Sequence, residues 1–494
     1  MKASNLRSMV WAVTAAAVGL ATGCTTTRQL GQAEWGGLRG DERIVVVTTS
    51  GVHHELKEFR FFTTGLVGRG EQGEIEIPLD SIALVEVREP STAATALAVL
   101  GAGTAVGIFI ALTKSPEKPP PTSCPFVYSF DGERYRLDSE TFAGAVAKGL
   151  DRTDYDNLEH LQPVGGRYRL RLVNERPETQ YTDELKLIVV DHPPGTQVIP
   201  DRVGKVHVIA NLRAPQAARG VHGGDALAAV RQADDIYWSG APLKDADLDQ
   251  PGELRDGLVL SFARPPGVQS ARLVVRARNT ALAPFALQEF LQLQGEGLFD
   301  WYLRVAENES LRQRIRRWVA REGMLHVLLW QEGRWTLQDA LLDVGPAISK
   351  SQVARINLGG VDADTVAVRL EAARGLWEID WVAMDVGPET PVTVTEIEAR
   401  RAQDERGRDV RELLASEDGR YYTSVEGGVV EIEFAVPRSP PGDWARSVIL
   451  KSRGFYYVYV PHSGPSQSPL ADRILDEPLV GNQYILERWR ATGW

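Results

Sequence analysis

Apolar and polar positions alternate with a period of two along most of this chain. The runs are short and broken by glycine and proline, as half-buried strands joined by turns require. Within residues 41–90 they fall at 43–47, 59–62, 74–77 and 82–87, which predicts a small β module. Alternation resumes after residue 124. Phe126 to Leu137 reads as a hairpin turning at Asp131-Gly132, where glycine supplies the positive φ of a two-residue turn. Strands continue at 166–173 and 184–190, and His192-Pro193-Pro194-Gly195 closes the run. Further hairpins are expected around Glu332-Gly333 and Asp418-Gly419. The last third alternates at 365–371, 376–384, 429–436, 447–451 and 455–460, lengths that suit a β-sandwich, the jelly roll among its forms. No fixed period relates these segments, which disfavours a propeller or solenoid.

Two stretches depart from this pattern. From Leu298 to Val319, apolar side chains at Leu298, Trp301, Tyr302, Val305, Leu311, Ile315, Trp318 and Val319 make a 3.6-residue stripe, so a helix is predicted. Arg312, Arg314, Arg316, Arg317 and Arg321 crowd its second half. They read either as a contact for anions or lipid headgroups or, preferably, as a solvated face whose basic end complements the helix dipole. Residues 93–112 carry no charge, and twenty residues at ~1.5 Å each reach across a bilayer. Only eight of them are strongly apolar, however, and Gly103 and Gly107 allow another helix to approach closely. An apolar helix over 92–113 is expected to contact membrane, either by crossing it or by dipping in or resting on a neighbour. The proline-rich 114–123 that follows reads as a stiff linker.

At the amino end, Lys2 and Arg7 precede an uncharged run from Met9 to Leu20, too short to span a bilayer, and then Leu20-Ala21-Thr22-Gly23-Cys24. This resembles a bacterial lipobox, with Ala21 where leucine is commonest. The resemblance implies that 1–23 is a signal peptide, cleaved to leave Cys24 carrying diacylglycerol and a fatty acyl group such as palmitate. Two or more acyl chains anchor a protein far better than one. An ordinary secretory signal is the alternative. With Cys24 acylated, Cys124 is the other cysteine of the chain, so no intramolecular disulfide forms. Thr25 does not match the aspartate that retains enteric lipoproteins at the inner membrane, which favours the outer membrane; a periplasmic body is preferred, the alternative being a crossing at 93–112 that puts residues 113–494 in the cytoplasm.

Composition narrows the classes. The 494 residues are 43% hydrophobic and 24% charged, the range of folded domains, and the formal charge of −11 argues against nucleic acid as a partner. The expected architecture is mainly β (α+β overall): a β module at 24–91, the apolar helix, the linker, a β-rich domain at 124–282, a helical insertion at 283–322 and a β-sandwich at 323–494. The strand pattern of that sandwich resembles galactose-binding-like modules. Cys124-Pro125-Phe126-Val127-Tyr128-Ser129-Phe130-Asp131-Gly132, the segments Leu158 to Leu161 and Glu178 to Asp183, and Val190-Asp191-His192-Pro193 together resemble a family of uncharacterised bacterial envelope lipoproteins. That resemblance supports the domain reading and implies no activity.

Candidate chemistry is sparse. Asp151, Asp154, Asp156, Glu159 and His160 lie within ten positions. Their oxygens suit Ca²⁺, yet the order lacks the glycine of an EF-hand, and a surface loop with local caps is the preferred reading. Glu378 and Asp380 share one strand face ~7 Å apart, within the span a glycoside hydrolase needs. Glu431/Glu433 and Glu74/Glu76 repeat that spacing, as polar faces of strands do by default. Trp377, Ile379 and Trp381 on the opposite face read as core before sugar platform, and so do Phe455, Tyr457 and Tyr459. Cys124 has no histidine near it in sequence and reads as a buried, inert thiol. HExxH, GxSxG, Walker A and dinucleotide fingerprints do not occur. The expectation is a membrane-anchored, non-enzymatic binding or assembly protein without cofactor or metal, whose partner is an envelope protein or glycan. The alternative is a carbohydrate-active enzyme using Glu378 and Asp380.

Overall fold

A computed structural model describes residues 25–30, 43–48, 52–62, 65–70, 73–78, 81–90, 124–361, 363–440, 442–460 and 464–492. The signal peptide expected at 1–23, Cys24, the apolar stretch 93–112 and the linker expected at 114–123 lie outside them. Among the described residues no helix is long and apolar enough to cross a membrane. Strand outweighs helix 45% to 19%, so the fold is mainly β with helical insertions.

The chain forms two units, divided at Pro119. In the first, six antiparallel strands make one sheet in the order Thr25–Leu30, Ile82–Pro90, Ile44–Thr48, His53–Phe62, Gly65–Gly70, Gly73–Pro78. Alternate residues (Ile44, Val46, Leu56, Val85, Val87) are buried together around Phe59, which is what a period of two produces when one face is covered.

The second unit holds two sandwiches, one inserted into the other. The outer sandwich packs a five-stranded sheet (Ala399–Asp404, Val429–Ala435, Arg167–Val173, Phe126–Phe130, Tyr135–Glu140) against a sheet of Thr393–Ile397, Glu178–His192, Ala445–Val458 and Arg152–Asn157. Leu170, Leu187, Ile432 and Leu450 meet at its centre. The inner sandwich lies between them in sequence: Ala217–Gly220, Arg255–Ala263, Thr365–Ala373, Leu325–Gln331 and Arg334–Leu341 face Leu212–Arg213, Trp377–Asp385, Ser270–Asn279 and Lys350–Asn357. The hairpin Gln197–Pro200/Val206–Ile209 joins the two sandwiches. Val198 enters a cluster with Ile188 and Ile449 of the outer one, and its neighbour Ile199 enters a cluster with Val274 and Val353 of the inner one.

The sheets therefore run across the boundaries expected at 282 and 323. No sandwich is built from 323–494 alone, the span whose pattern resembles galactose-binding-like modules. Strands 393–458 complete the outer sandwich with 126–192, whereas 325–385 complete the inner one with 212–279. Periodicity marks strands without saying which of them pair.

Five helices cover one side of this unit: α1 (Leu282–Gln292), α2 (Leu298–Glu307), α3 (Glu309–Trp318), α4 (Ser468–Asp476) and α5 (Val480–Thr492). The single helix expected over 298–319 is two. Asn308 leaves helical geometry at φ −106°, ψ 101° and its side chain accepts the Leu311 N–H at 3.1 Å, capping α3. A π-turn, Val319–Gly323, follows α3. The helices rest on the ends of the two longest strands. Glu178–His192 pairs with Ala445–Val458 in a register broken between Thr182 and Glu184. Beyond that break Leu185, Leu187, Val189, Val448 and Leu450 enter the core of the outer sandwich. Before it, Tyr181 stacks on Phe455 at 4.5 Å, and Tyr457 meets Tyr302 of α2 at 4.6 Å.

Two expected turns also differ. Asp131-Gly132 belongs to a four-residue loop in which the Asp131 carboxylate accepts the N–H groups of Glu133 and Arg134. Asp418-Gly419 turns no hairpin, and both its N–H groups donate to Asp183. Glu332-Gly333, at φ +52° and +75°, does turn the hairpin 325–341.

Candidate functional site

Between the helical layer and the two sandwiches lies a cavity of about 370 Å³ with an overwhelmingly apolar lining. The segment Ala143 to Val146 forms one wall, α1 another through Leu282, Leu287 and Phe290, and Trp301, Ile315, Trp318, Val319, Met324, Ile485 and Leu486 close most of the rest. Small residues make the room. Gly144 sits at φ +77°, where a Cβ would strike the Asp343 carboxylate at 2.5 Å, and its N–H donates to the Tyr456 hydroxyl at 2.9 Å. Gly481 of α5 lies against the Trp318 indole, where a Cβ would sit 3.0 Å from Nε1. Ala320 and Arg316, both exposed, belong to the lining, so the cavity opens to solvent beside the end of α3.

Polar groups are few and placed at separate points. Arg152 pairs with Asp343 and Asp154 at one edge. Cys124 donates its S–H to Glu140 Oε1 at 3.2 Å, and Glu140 Oε2 accepts the Ala347 N–H at 2.8 Å. Burial pushes the Glu140 carboxyl up to about 7 and the nearby Glu178 up to about 8. Burial, then the Glu140 and Glu178 charges, drive the Cys124 thiol well above its ordinary value, so it stays protonated. Among the described residues no histidine lines the cavity. At the opposite wall, the π-turn brings in Trp318 and Glu322. Glu322 Oε1 accepts from Arg321 at 2.8 Å and from the Leu479 N–H at 2.9 Å. Its Oε2, like the indole Nε1 of Trp318, is buried with no hydrogen-bond partner among the described residues.

A second, polar cleft of about 500 Å³ opens where the sandwiches meet, lined by Asp138, Asp156, Glu159, His160, Tyr237, Arg276 and Arg278 among others. It gathers part of the acidic cluster read as a candidate Ca²⁺ site. Among the described residues no three His, Cys, Asp or Glu side chains converge as ligands would. Each carboxylate is already engaged. Asp151 accepts from Tyr421 and the Gly149 N–H. Asp154 takes Arg152 and the Phe142 N–H, Asp156 takes Lys350 at 3.2 Å, and Glu159 takes Arg276 at 2.7 Å. Nor is the cluster one surface loop: Arg152–Asn157 is a strand with Asp154 and Asp156 buried, while Glu159 and His160 follow it in a loop.

Glu378 and Asp380 do not form a catalytic pair on an open face. Arg276 faces Trp381 and Ala277 faces Ile379, leaving Asp380 as the extra residue of a β-bulge. Asp380 is fully buried, accepts the N–H groups of Asp234 and Asp235 at 3.1 and 2.9 Å, and stands 3.2 Å from Arg276. Glu378 pairs with Arg278 at 2.8 Å. Neither lines the cavity or the cleft. The same bulge separates Trp381, which packs beside Val274 and Ile199, from Trp377 and Ile379 in the inner core. The aromatic end of strand Ala445–Val458, Phe455 to Tyr457, lies beneath the helices.

The arginines of 312–321 tie helices together. Arg312 donates to the carbonyls of Val305 and Ala306 at the end of α2, Arg321 to those of Leu475 and Glu477 at the end of α4, and Arg314 pairs with Asp472 and Asp476. No motif marks the cavity in the sequence. The run of small residues from Ala143 to Ala147 is a local hint, and the polar atoms of Trp318 and Glu322 give none.

No family model matches this chain, and no curated protein does. Among solved structures, a chain described under "The Triple Jelly Roll Fold and Turret Assembly in an Archaeal Virus" aligns over 64% of this chain and 92% of its own, at 7% identity and a TM-score of 0.15. A chain described under "X-ray structure of the entire lipid-containing bacteriophage PM2" aligns over 87% and 100%, at 8% identity and a TM-score of 0.09. At such TM-scores the likeness says nothing about function.

Proposed function

We propose that this protein is a bacterial envelope lipoprotein, anchored through acylated Cys24, whose body binds an apolar ligand and carries out no chemistry on it. The observation that carries the binding role is the cavity: about 370 Å³, within the roughly 300–1,000 Å³ of small-molecule sites, apolar throughout most of its lining and reached from solvent. A non-catalytic role is supported by the protonated thiol of Cys124 and by the engagement of Glu378 and Asp380 with arginine and backbone N–H groups. Anchoring is supported by the lipobox alone. Acyl chains at Cys24 would hold the body where apolar envelope molecules are concentrated.

The test uses the full chain in mild detergent and the neutral dye N-phenylnaphthylamine. Saturable uptake at one site is expected, lost when Leu287→Trp fills the cavity. Absence of uptake, or equal uptake by the filled variant, overturns the binding role. Labelled palmitate incorporated into wild type and lost in Cys24→Ala is expected for the anchor. Equal labelling of both overturns it.

A further inference from the structure

The polar cleft where the sandwiches meet is organised as a site in its own right, independent of the apolar cavity. Arg276 and Arg278 line it from one face of strand Ser270–Asn279, about 7 Å apart. Arg276 donates to Glu159 of the outer sandwich at 2.7 Å, and its Nε stands 3.2 Å from Asp380. Arg278 pairs through Nε with Glu378 at 2.8 Å, and its guanidinium lies 4.1 Å from the centre of the Tyr237 ring. The Tyr237 hydroxyl donates to Asp235 at 2.8 Å and meets the Ser349 hydroxyl at the same distance. Asp235 holds a left-handed backbone, φ +61°, uncommon for a residue other than glycine, and its N–H is fixed on the buried Asp380 at 2.9 Å. The bulge at Asp380 therefore sets both arginine and loop in place before any ligand arrives.

Ion pairing leaves this cleft with hydrogen-bonding capacity rather than free charge. Among the described residues nothing accepts from the two terminal nitrogens of Arg278, and nothing donates to Glu159 Oε2 or Asp235 Oδ2. These groups are open to solvent: the Arg278 side chain is 31% exposed, that of Glu159 48%, and Asp235 is exposed as well. The two nitrogens of Arg278 form a fork that suits a pair of adjacent oxygens. An anion would find both guanidiniums already facing carboxylates, and a cation would meet the guanidiniums themselves. A hydroxyl accepts from the fork and donates to a carboxylate equally well. Direct contacts connect Arg278, Tyr237 and Asp235 on one side and Arg276 and Glu159 on the other, a span wider than one sugar ring and within reach of two. The volume of about 500 Å³ accommodates them. We infer that this cleft binds a neutral saccharide, with adjacent hydroxyls on the Arg278 fork and others on Glu159 and Asp235.

Saturation-transfer NMR tests this on the full chain, held in a zwitterionic detergent without a sugar head, with maltose, cellobiose, lactose and N,N′-diacetylchitobiose as probes. Transfer to at least one of the four is expected. Arg278→Lys keeps the charge and removes the fork, so it should weaken that binding about tenfold or more while dye uptake by the apolar cavity is unchanged. Ser351→Trp, on the cleft lining, should abolish it, and Arg278→Lys decides alone if that variant does not fold. Glucuronate and glucosamine at equal concentration should leave the bound sugar in place. Transfer to none of the four, or undiminished transfer in Arg278→Lys, overturns the assignment. Displacement by either charged sugar overturns the neutral class. Sugar binding in a chain that takes up no dye supports this site and removes only the apolar role.

Discussion

The ammonium of Lys350, in the inner sandwich, lies 3.2 Å from Asp156 Oδ2 in the outer one, and both side chains are almost wholly removed from solvent. The same ammonium donates to the Glu140 carbonyl at 2.7 Å and stands 4.0 Å from Asp154. Two charges so deeply buried hold each other in place, and removing one strands the other. Lys350→Met should therefore lower stability by about 3–5 kcal/mol, and adding Asp156→Leu should restore part of the loss. Urea unfolding of the two single variants and the double variant measures this. Strict additivity would show that the pair does not couple the sandwiches.

Glu140 and Glu178 give the body an unusual pH dependence. Burial raises their carboxyls from 4.5 to about 7 and about 8. Between those values and the unfolded one, the folded chain keeps protons that the unfolded chain has released, so their contribution to stability falls as pH rises through that window. Thermal unfolding should shift downward between about pH 5 and pH 8. Glu140→Gln and Glu178→Gln should each flatten the slope, because a glutamine has no proton to lose. An unchanged slope in both variants would assign the effect to other groups.

The two carboxylates of strand Trp377–Asp385 differ sharply in what they hold. Asp380 satisfies two N–H groups of the 234–235 loop, so Asp380→Ala should cost about 1–3 kcal/mol. Glu378 is partly exposed and pairs with Arg278 near the surface, so Glu378→Ala should cost no more than about 1 kcal/mol. Comparable large losses in both would mean that Glu378 carries a burden the geometry does not show.

That contrast also marks where sequence reading stops. Period-two alternation located the strands, including 376–384, because the burial of alternate side chains is local. The bulge at Asp380 is set by its partner strand and reverses the facing of Trp381, so no spacing within 377–381 could reveal it. Strand partnership was equally hidden: Arg167–Val173 pairs with Val429–Ala435, more than 250 positions away. The C-terminal helices lay in a span read as sandwich, since α4 is short and α5 has only a narrow buried face at Gly481, Asn482, Ile485 and Leu486. The cavity is the product of all these long-range meetings and left no motif.

The stack of Tyr181 on Phe455, nearly parallel at 8°, joins two partner strands within the core they share with the helical layer. Phe455 also meets Tyr421 and Tyr457 edge-on. Phe455→Ala should therefore cost about 3–5 kcal/mol, the range of large cavities in a rigid core. Phe455→Leu should cost less. Loss of dye uptake in Phe455→Ala at temperatures where the chain remains folded would further show that this stack supports the cavity wall.

Cys24 and Cys124 can be read out together, because the chain has two cysteines. Cys124 is buried, donates to Glu140 and has its thiol raised by desolvation, so it should not react with a thiol reagent in the native protein. Denaturation should expose it. If Cys24 carries a thioether-linked diacylglycerol, protein extracted from membranes should titrate no thiols when native and one per chain when denatured, whereas Cys24→Ala should titrate identically yet incorporate no labelled palmitate. Two thiols on denaturation would show Cys24 present and unmodified. A thiol reactive in the native fold would place Cys124 in an environment more open than the one around Glu140.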